Sequence, residues 1–533
     1  MNIVYAVKIF ASLVIVLYAL RVVAGKGLRQ VMTAPDWQAA WPAVVGTLFV
    51  SCFSWRVPLF FVVFSIWALY APRLFGKSGD GRLPAYVLLA CVSPQFSMEL
   101  ENIGPLRDLL RLDAFRIIEI FILVPAMIRI IATRDRPARP AWLVVCDLAT
   151  FGYLSYWTLH LYGQANASTL AREMVGALLD DWLPYYVLSR ACLQADMRRR
   201  VMSMMLFGVA YESLVGVVEG LSRHLLYAQL QYLYGDRWNV IGALTRGSWV
   251  RAQAAFPGPL VLAVLALFGI GLWFALKPAV KSRAYGVVAL VLVGGMLATF
   301  SRGPVLALLV LFVGVTCLRY MSARRFLVFA AVASIALAAS WNLGLGDAIV
   351  GAVNGVTGAD RQADFNVVYR QQLLKTSLAL IQQSPWFGVP DYMQYMQDLR
   401  QGDGIIDLVN TYLVVALNVG VCGLLLFLLP YAIALWKLAS GMPQAPDDLR
   451  RESLAWLPLT VAILVVVFTV SPVSIIHPVL IWVVALALGR LQERVPARIE
   501  PLAPVAVEPL APASSQFAVS SLVSGDSAAS MWQ

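Results

Sequence analysis

The stretch DRQADFNVVYRQQLLK, residues 360–375, is a polar sequence with a helical period inside an otherwise apolar chain. It belongs to a polar segment, residues 344–407, that separates two long apolar runs. Its apolar residues recur every three or four positions, which is typical of a helix with one buried face. A connection of this length between apolar runs is uncommon unless it has a function. We therefore predict that residues 344–407 form a helical loop that acts as a lid and carries the chemistry of the protein.

The composition predicts a polytopic helical membrane protein of the all-α class. The chain is 60% hydrophobic and 13% charged, and it contains repeated apolar runs of about twenty residues, the length that crosses a bilayer as a helix. The formal net charge of +11 does not indicate nucleic-acid binding, because the basic residues concentrate in short connections between the apolar runs. The six cysteines lie in or beside apolar runs without paired spacing. Neither a disulfide framework nor a zinc site is therefore predicted.

The apolar runs predict about fourteen transmembrane helices. The run at residues 41–70 contains WRVP at 55–58, which makes it long for one helix and short for two. The other runs cover residues 3–24, 83–96, 115–131, 141–162, 176–193, 201–221, 256–276, 284–300, 304–318, 326–343, 413–436, 454–470 and 475–488. The predicted domains are an N-terminal transmembrane bundle (1–343), an extracytoplasmic catalytic loop (344–407), C-terminal transmembrane helices (408–490) and a disordered cytoplasmic tail (491–533).

The basic residues of the connections predict the orientation. They cluster after residue 133, at 198–200, at 277–283, at 319–325 and near residues 437 and 450. These connections all fall on one side of the membrane, which the positive-inside rule assigns to the cytoplasm. The opposite connections, at residues 99–113, 164–181, 223–251, 301–303, 344–407 and 471–477, then face outward. An active site is expected on that outer side.

Arginines on the outer side are the candidate site residues. No phosphate-binding loop, dinucleotide fingerprint or zinc-protease motif occurs in the sequence. Arg302 lies in TFSRGP, where Gly-Pro predicts a tight turn between two spans. Arg246 and Arg251 precede another span on the same side, and Arg361 and Arg370 lie on the long loop. Each is either an ordinary interfacial arginine or part of an anion site, and the anion site explains best why they oppose the positive-inside bias.

Three motifs carry a family resemblance. They are SRG at residues 301–303, RAQAAFPGP at 251–259, and an ordered series from YRQQLLKTSLALIQQSPWFGV (369–389) to VNTYLVVALNVGVCGLLLFL (409–428). On these residues the chain resembles the O-antigen ligase/polymerase superfamily of bacterial membrane glycosyltransferases, over roughly residues 246–428. The resemblance implies a GT-C-like helical architecture in the bacterial inner membrane, with the active site facing the periplasm. It also implies a polyprenyl-diphosphate-linked oligosaccharide as donor, contact with membrane lipids, and other polysaccharide-assembly and chain-length-control proteins as partners.

One departure from the family bears on the reaction. Ligase-like members place a histidine directly before the Asn of the N-x-Y-L element, where this chain has Val409. Its histidines, His160, His224 and His477, are interpreted as polar interfacial residues. We therefore predict polymerisation of lipid-linked repeat units into exopolysaccharide, capsule or O-antigen. The alternatives are a ligase that transfers glycan to lipid A core or another acceptor, a flippase for the same lipid-linked oligosaccharide, and a scaffold in an export complex.

The resemblance implies a mechanism in which guanidinium groups neutralise the departing diphosphate. Arg251, Arg302 and Arg370 are assigned to the diphosphate, with Arg246 and Arg361 as second choices.

An acceptor hydroxyl would attack the first carbon of the donor sugar with help from a carboxylate. Asp407 is the first choice for this base and Asp364 the second. The alternative role of Asp407 is a helix N-cap for the next span. Asn410 of the N-x-Y-L element is assigned to substrate binding. Four aromatic residues are predicted to stack on sugar faces, with an interfacial aromatic belt as the alternative: Tyr369, Trp386, Phe387 and Tyr412.

Two further pairs of carboxylates stand out. Glu99 and Glu101 in SMELEN are interpreted as residues of a solvated loop, and a divalent-metal site is the weaker alternative. No cofactor is therefore expected. Glu212 and Glu219 lie inside the apolar run 201–221. Carboxylates within a span usually face the bundle interior and pair with arginine or line a cavity, so these two are predicted to support the site from below.

Overall fold

Helices make up most of the regular structure. The structure is a computed structural model, and it describes residues 2–76, 80–95, 97–99, 111–132, 140–160, 167–230, 234, 243–246, 248–276, 282–330, 361–400, 406, 408, 410–442, 447–470 and 476–491. Structural statements below refer to these residues.

The first half of the chain forms α1 (Asn2–Val23), α2 (Gly25–Leu28), α3 (Ala34–Phe53), α4 (Val57–Tyr70), α5 (Arg82–Val92), α6 (Ala114–Ile118), α7 (Val124–Ala132), α8 (Ala141–His160), α9 (Ala167–Gly176), α10 (Leu183–Ala191) and α11 (Ala195–Ser222). The second half forms α12 (Pro259–Ala275), α13 (Arg283–Ala298), α14 (Arg302–Cys317), α15 (Arg361–Gln383), α16 (Thr411–Gly441), α17 (Asp447–Val467) and α18 (Ile476–Leu491). Short 3₁₀ helices form at Ala71–Phe75, Tyr227–Leu230 and Tyr392–Leu399.

Two features depart from regular α-helix. The π-helical segments Glu119–Leu123 and Ala177–Trp182 join α6 to α7 and α9 to α10. Two short antiparallel hairpins pair β1 (Ser97–Glu99) with β2 (Arg111–Asp113), and β3 (Thr245–Arg246) with β4 (Trp249–Val250). The prediction of a helical protein therefore holds, and the two short hairpins lie in connections between helices.

The apolar helices show an integral membrane protein. Among the described residues, four helices are long and apolar enough to cross a membrane: Ile3–Val23, Val57–Phe75, Ala195–Ser222 and Thr411–Gly441. Five more are apolar but shorter: Arg82–Val92, Pro259–Ala275, Arg283–Ala298, Arg302–Cys317 and Ile476–Leu491. Large apolar side chains face outward, such as Ile15 and Ile66 at 67% and 62% exposed, which suits contact with lipid. The predicted number of spans is not confirmed by these helices.

The apolar run at residues 41–70 forms two helices. α3 and α4 are separated at Trp55, whose φ of 53° lies in the left-handed region. Pro58 lies in the first turn of α4. Proline fits that position because it lacks an N–H and the first helical N–H groups have no partner within the helix. The apolar run at residues 41–70 therefore contains parts of two helices, which are separated by a break just before Pro58.

α11 runs through the centre of the described helices. It packs against α5, α12 and α13, and around it α8 packs on α16, α10 on α18, and α14 on α17. Its side chains Phe207 and Tyr211 are fully buried. Lipid tails are as apolar as these side chains, so the hydrophobic effect does not favour one helix neighbour over another. Close van der Waals packing decides which helices are in contact.

Ion pairs join the helices at one end of the bundle. Arg200 of α11 donates from Nε and Nη2 to the two oxygens of Asp36, both at 2.8 Å. Arg198 Nε donates to Glu452 Oε1 at 2.7 Å. These contacts bring the predicted cytoplasmic cluster 198–200 to the end where α3 and α17 begin. The predicted outer residues, described next, lie at the other end of α11.

Candidate functional site

The turn between α13 and α14 binds two of the predicted arginines. Arg251 donates from Nε to the Thr299 carbonyl at 2.9 Å and from Nη2 to Ser301 Oγ at 3.1 Å. Arg246 donates from Nη1 to the Phe300 carbonyl at 2.7 Å. Carbonyls at a helix C-terminus lack partners within the helix and carry partial negative charge, so guanidinium groups are stabilised there. The two arginines therefore lie at the same turn.

Arg302 follows this turn as the first residue of α14. Its side chain is exposed, and it makes no hydrogen bond or ion pair with a residue that the structure describes. Burial, and then the positive charge of Arg246, lower the pKa of Arg251. The N–H groups at the start of α14 add further positive potential. We call Arg246, Arg251 and Arg302 the arginine turn, a cationic surface suited to an anion.

Glu219 of α11 holds the segment that carries Arg251. Its Oε2 accepts hydrogen bonds from the backbone N–H groups of Gln253 and Ala254 at 3.0 and 2.8 Å. Its Oε1 accepts from the N–H of Leu226 at 2.8 Å. A fully buried carboxylate is stabilised when several N–H groups donate to it. Glu219 therefore fixes the backbone directly after Arg251.

Glu212 acts in the same way about two turns deeper in α11. Its Oε2 accepts from the N–H of Ala255 at 3.2 Å, and Tyr227 donates its hydroxyl to Oε1 at 3.2 Å. The prediction that both glutamates support the site from below fits this arrangement. The expected arginine partners are wrong, because the hydrogen-bond donors that the structure shows are backbone N–H groups and a tyrosine hydroxyl.

The loop helix α15 carries three of the predicted residues. Arg361, Asp364 and Arg370 lie along it, and their side chains fall outside the described part of the structure, so their roles stay predictions. Tyr369 is 7% exposed. It packs in a small apolar cluster with Leu373, Leu380, Tyr392, Met396, Leu408 and Leu417. Tyr369 thus contributes to packing, and its predicted sugar contact stays a prediction.

The segment SPWFGV, residues 384–389, docks into a break in α16. The N–H of Val389 donates to the Leu417 carbonyl at 2.6 Å. At the break, Gly420 has φ 63° and ψ −167°, and a Cβ there would lie 2.3 Å from the Trp386 carbonyl oxygen. The contact anchors the end of the loop helix to α16. It explains physically why both parts of the motif series contain glycine.

Asn410 and Tyr412 have structural partners at the start of α16. Asn410 Oδ1 accepts from the N–H groups of Tyr412 and Leu413 at 3.0 and 3.3 Å, so Asn410 is the N-cap. The N-cap alternative for Asp407 is therefore wrong. Asp407 itself lies outside the described residues, and its role as a base stays a prediction. Tyr412 donates its hydroxyl to the Leu464 carbonyl at 2.7 Å, which ties its ring to α17.

The metal alternative finds no support in the described residues. Glu99 ends β1, and Glu101 lies outside the part of the chain that the structure describes. Within that part, no group of three or more His, Cys, Asp or Glu side chains is placed to hold a metal ion.

A polar cavity lies where α16 and α18 begin. Its volume is about 210 Å³. Its polar and aromatic lining includes Arg116, Trp157, Asp180, Asp181, Thr411 and His477. Arg116 donates from Nε and Nη2 to Asp180 at 3.0 and 2.8 Å, and His477 Nδ1 lies 3.0 Å from Asp181 Oδ1.

The two π-helical segments lie beside this cavity. Ala177–Trp182 contains both aspartates, and Glu119–Leu123 begins directly after the turn of Arg116. π-Helical turns inside α-helices occur frequently at functional sites. Sequence reasoning missed this cavity and interpreted His477 as a plain interfacial residue. The signal that was available is the Asp-Asp pair at 180–181, which interrupts an apolar run.

The cavity and the arginine turn flank one short segment after α17. Thr411, which lines the cavity, donates from its N–H and Oγ1 to the Val470 carbonyl at 3.0 and 2.6 Å. On the other side, a Cβ at Gly303, next to Arg302, would lie 2.3 Å from Thr469 Oγ1. Because Thr469 and Val470 are consecutive, the two sites are neighbours at the same end of the bundle.

Comparison with known proteins supports the sequence resemblance. Residues 286–428 match the sequence model of a family described as O-Antigen ligase, and no curated protein matches the chain significantly. The match includes the SRG turn, α15 and the first half of α16, so the resemblance predicted for residues 246–428 is confirmed over this range. Members of the family are glycosyl-transferring ligases or polymerases. The chain is thus an integral membrane protein whose residues 286–428 are similar to the O-antigen ligase family.

Proposed function

We propose that the protein polymerises lipid-linked oligosaccharide repeat units into exopolysaccharide, capsule or O-antigen at the outer face of the inner membrane. The donor is an oligosaccharide linked through a polyprenyl diphosphate. The observation that carries the proposal is the arginine turn, where Arg246 and Arg251 are held at the α13–α14 turn and Arg302 follows it exposed. Three cations at one turn of a glycosyl-transferring family suit the diphosphate of such a donor.

The chemistry requires charge stabilisation at the leaving group. When an acceptor hydroxyl attacks the first carbon of the donor sugar, negative charge collects on the departing diphosphate. Guanidinium groups stay charged and bind phosphate oxygens through two parallel hydrogen bonds. Arg251 uses Nε and Nη2 for the turn. Among the described residues, its other N–H groups and the whole guanidinium of Arg302 have no partner, so they can bind a ligand. A preorganised donor of this kind typically changes turnover by roughly 10²–10³.

The loop helix α15 supplies the remaining proposed groups. Arg370 is proposed as a further diphosphate ligand, with Arg361 in reserve. Asp407, with Asp364 as second choice, is proposed to assist the acceptor hydroxyl. The anchoring of residues 384–389 on α16 supports a fixed position for the end of this helix.

A ligase is the second candidate. The family description itself names a ligase, whereas Val409 stands where ligase-like relatives have a histidine. A polymerase and a ligase use the same donor and differ in the acceptor. Incubation of the purified protein with the lipid-linked oligosaccharide alone, and then with added lipid A core, separates them. A ladder of lengths with the donor alone supports the polymerase, and transfer only after lipid A core is added supports the ligase.

Arg302→Lys tests the assignment of the arginine turn. Lysine keeps the charge but loses the two-point contact, so we expect turnover to fall by about tenfold or more. Arg319→Lys is the matched control, because Arg319 is exposed beyond the other end of α14. It should keep wild-type turnover. Equal turnover in both variants would mean that Arg302 only anchors the chain at the membrane surface.

A further inference from the structure

The cavity where α16 and α18 begin has the opposite charge to the arginine turn. Its arginine, Arg116, is already bound to Asp180 at 3.0 and 2.8 Å. Asp181 and Glu173 also line it. Glu119 is 1% exposed, lies within electrostatic reach of both aspartates, and has neither oxygen hydrogen-bonded to a described residue. Carboxylates repel phosphate, so this cavity suits an uncharged ligand.

The size and lining of the cavity fit a single sugar ring. Its volume of about 210 Å³ is smaller than the roughly 300–1,000 Å³ of sites for drug-sized ligands. Carboxylate and threonine oxygens accept hydrogen bonds from sugar hydroxyls. Trp157 and Tyr153 line the cavity and offer flat apolar faces for the ring.

The pair Asp181–His477 gives this cavity a group that can accept a proton. His477 Nδ1 lies 3.0 Å from Asp181 Oδ1, and the side chains are 32% and 7% exposed. A carboxylate that binds the Nδ1–H leaves the lone pair on Nε2 and stabilises the imidazolium that forms on protonation. Asp180, on the same π-helical segment as Asp181, faces the pair together with Arg116 and Glu119. His477 therefore lies at ion-pair distance from one buried aspartate and also lines the cavity.

The geometry points to an acceptor site: we infer that the cavity binds the acceptor sugar and that His477, in place of Asp407, takes the proton from its attacking hydroxyl. The inference rests on the proposed glycosyl transfer. The hydroxyl oxygen forms a bond to the first carbon of the donor sugar, and the bond from that carbon to the diphosphate breaks with its electron pair on the diphosphate. The hydroxyl proton goes to His477 Nε2 and then to water. Thr411 of the cavity and Gly303 beside Arg302 contact the consecutive residues Val470 and Thr469, so the acceptor and donor sites are neighbours.

His477→Gln tests this inference in the purified full-length protein. The substrate is the lipid-linked oligosaccharide extracted from cells that lack the protein, and polyprenyl diphosphate alone serves as a probe of donor binding. We expect turnover to fall about 100-fold or more and the acidic limb of the wild-type pH profile to disappear. Binding of polyprenyl diphosphate should stay within about twofold of wild type, because the diphosphate is bound by the arginines.

Two further variants complete the test. His160→Gln is the matched control, since His160 ends α8 and does not line the cavity, and it should keep wild-type turnover. Asp181→Asn should lower turnover and shift the same limb, because the amide disturbs the tautomer of His477.

The outcomes are distinguishable. Wild-type turnover and an unchanged pH profile in His477→Gln overturn the acceptor assignment and leave the proposed function in place. Joint loss of turnover, diphosphate binding and thermal stability gives His477 a structural role and also overturns it. A wild-type protein that joins no oligosaccharides overturns the proposed function and this inference together.

Discussion

Gly420→Ala is the sharpest test of how the loop helix is anchored. Gly420 lies at the break in α16 with φ 63° and ψ −167°, a region that is essentially restricted to glycine. A Cβ at this position would lie 2.3 Å from the Trp386 carbonyl oxygen and 2.6 Å from the Phe387 nitrogen. Both atoms belong to the backbone, so no side chain can move aside. The contact can be relieved only if residues 384–389 separate from α16.

The magnitude follows from two terms. A non-glycine residue in a sparsely populated backbone region costs about 1–3 kcal/mol. Forcing an extra carbon into a packed contact costs about 1–3 kcal/mol more. The free energy of unfolding should therefore fall by roughly 2–6 kcal/mol. Transfer activity should fall as well, because the separated segment is continuous with α15, which carries Arg370.

The assay is the unfolding midpoint of the purified protein in detergent, measured by tryptophan fluorescence during heating. Gly286→Ala is the matched control, because outside its own stretch of α13 no atom of the described residues lies within 4 Å of a Cβ at that position. Alanine favours a helix over glycine by up to about 1 kcal/mol, so the control should keep or raise the midpoint.

A second substitution tests the same contact from the other side. Gly388 has φ 79°, and a Cβ there would lie 2.5 Å from the Leu417 carbonyl oxygen. Gly388→Ala should therefore lower the midpoint too. The double variant should lose less than the sum of the single variants, because both break one contact. An unchanged midpoint in Gly420→Ala would refute the reasoning.

Two other predictions concern the support of the arginine turn and the orientation of the chain. In Glu219→Gln an amide replaces the acceptor of three backbone N–H groups, so at least one buried donor loses its partner at a cost of about 1–3 kcal/mol. The unfolding midpoint and turnover should both fall, whereas Asp196→Asn at the exposed start of α11 should change neither, and equal effects in the two variants would contradict the role of Glu219. Epitope tags in residues 223–251 and 344–407 should be accessible from the periplasm, and a tag after residue 490 only from the cytoplasm. The opposite accessibility would overturn the orientation and the site assignments with it.

Patterns along the chain were enough to predict part of the site. Arg302 was selected because an arginine between two apolar runs on the outer side opposes the charge bias, and the structure places it exposed beside the turn that binds Arg246 and Arg251. This worked because hydropathy and charge act on each segment locally as it enters the membrane. The helical period of residues 361–383 was likewise visible without any tertiary contact.

Roles that depend on a partner elsewhere in the chain were harder to predict. Asn410, Tyr369 and Tyr412 carry side chains that suit a sugar site. The structure uses them as a helix cap, a packing residue and a hydrogen-bond donor to α17. Glu219 was expected to pair with an arginine or line a cavity, but it accepts hydrogen bonds from backbone N–H groups. The residue type predicts the kind of bond, whereas the partner depends on which segment packs against it.

The sequence by itself determined the membrane class, the positions of most apolar helices and the arginines at one end of the bundle, because composition and period are properties of each segment alone. Only the tertiary structure brought Arg116 to Asp180 and Asp181 to His477. These residues come from three helices that are distant in sequence. Their meeting depends on the rotation and depth of each helix, which close packing against its neighbours decides and which no local pattern encodes.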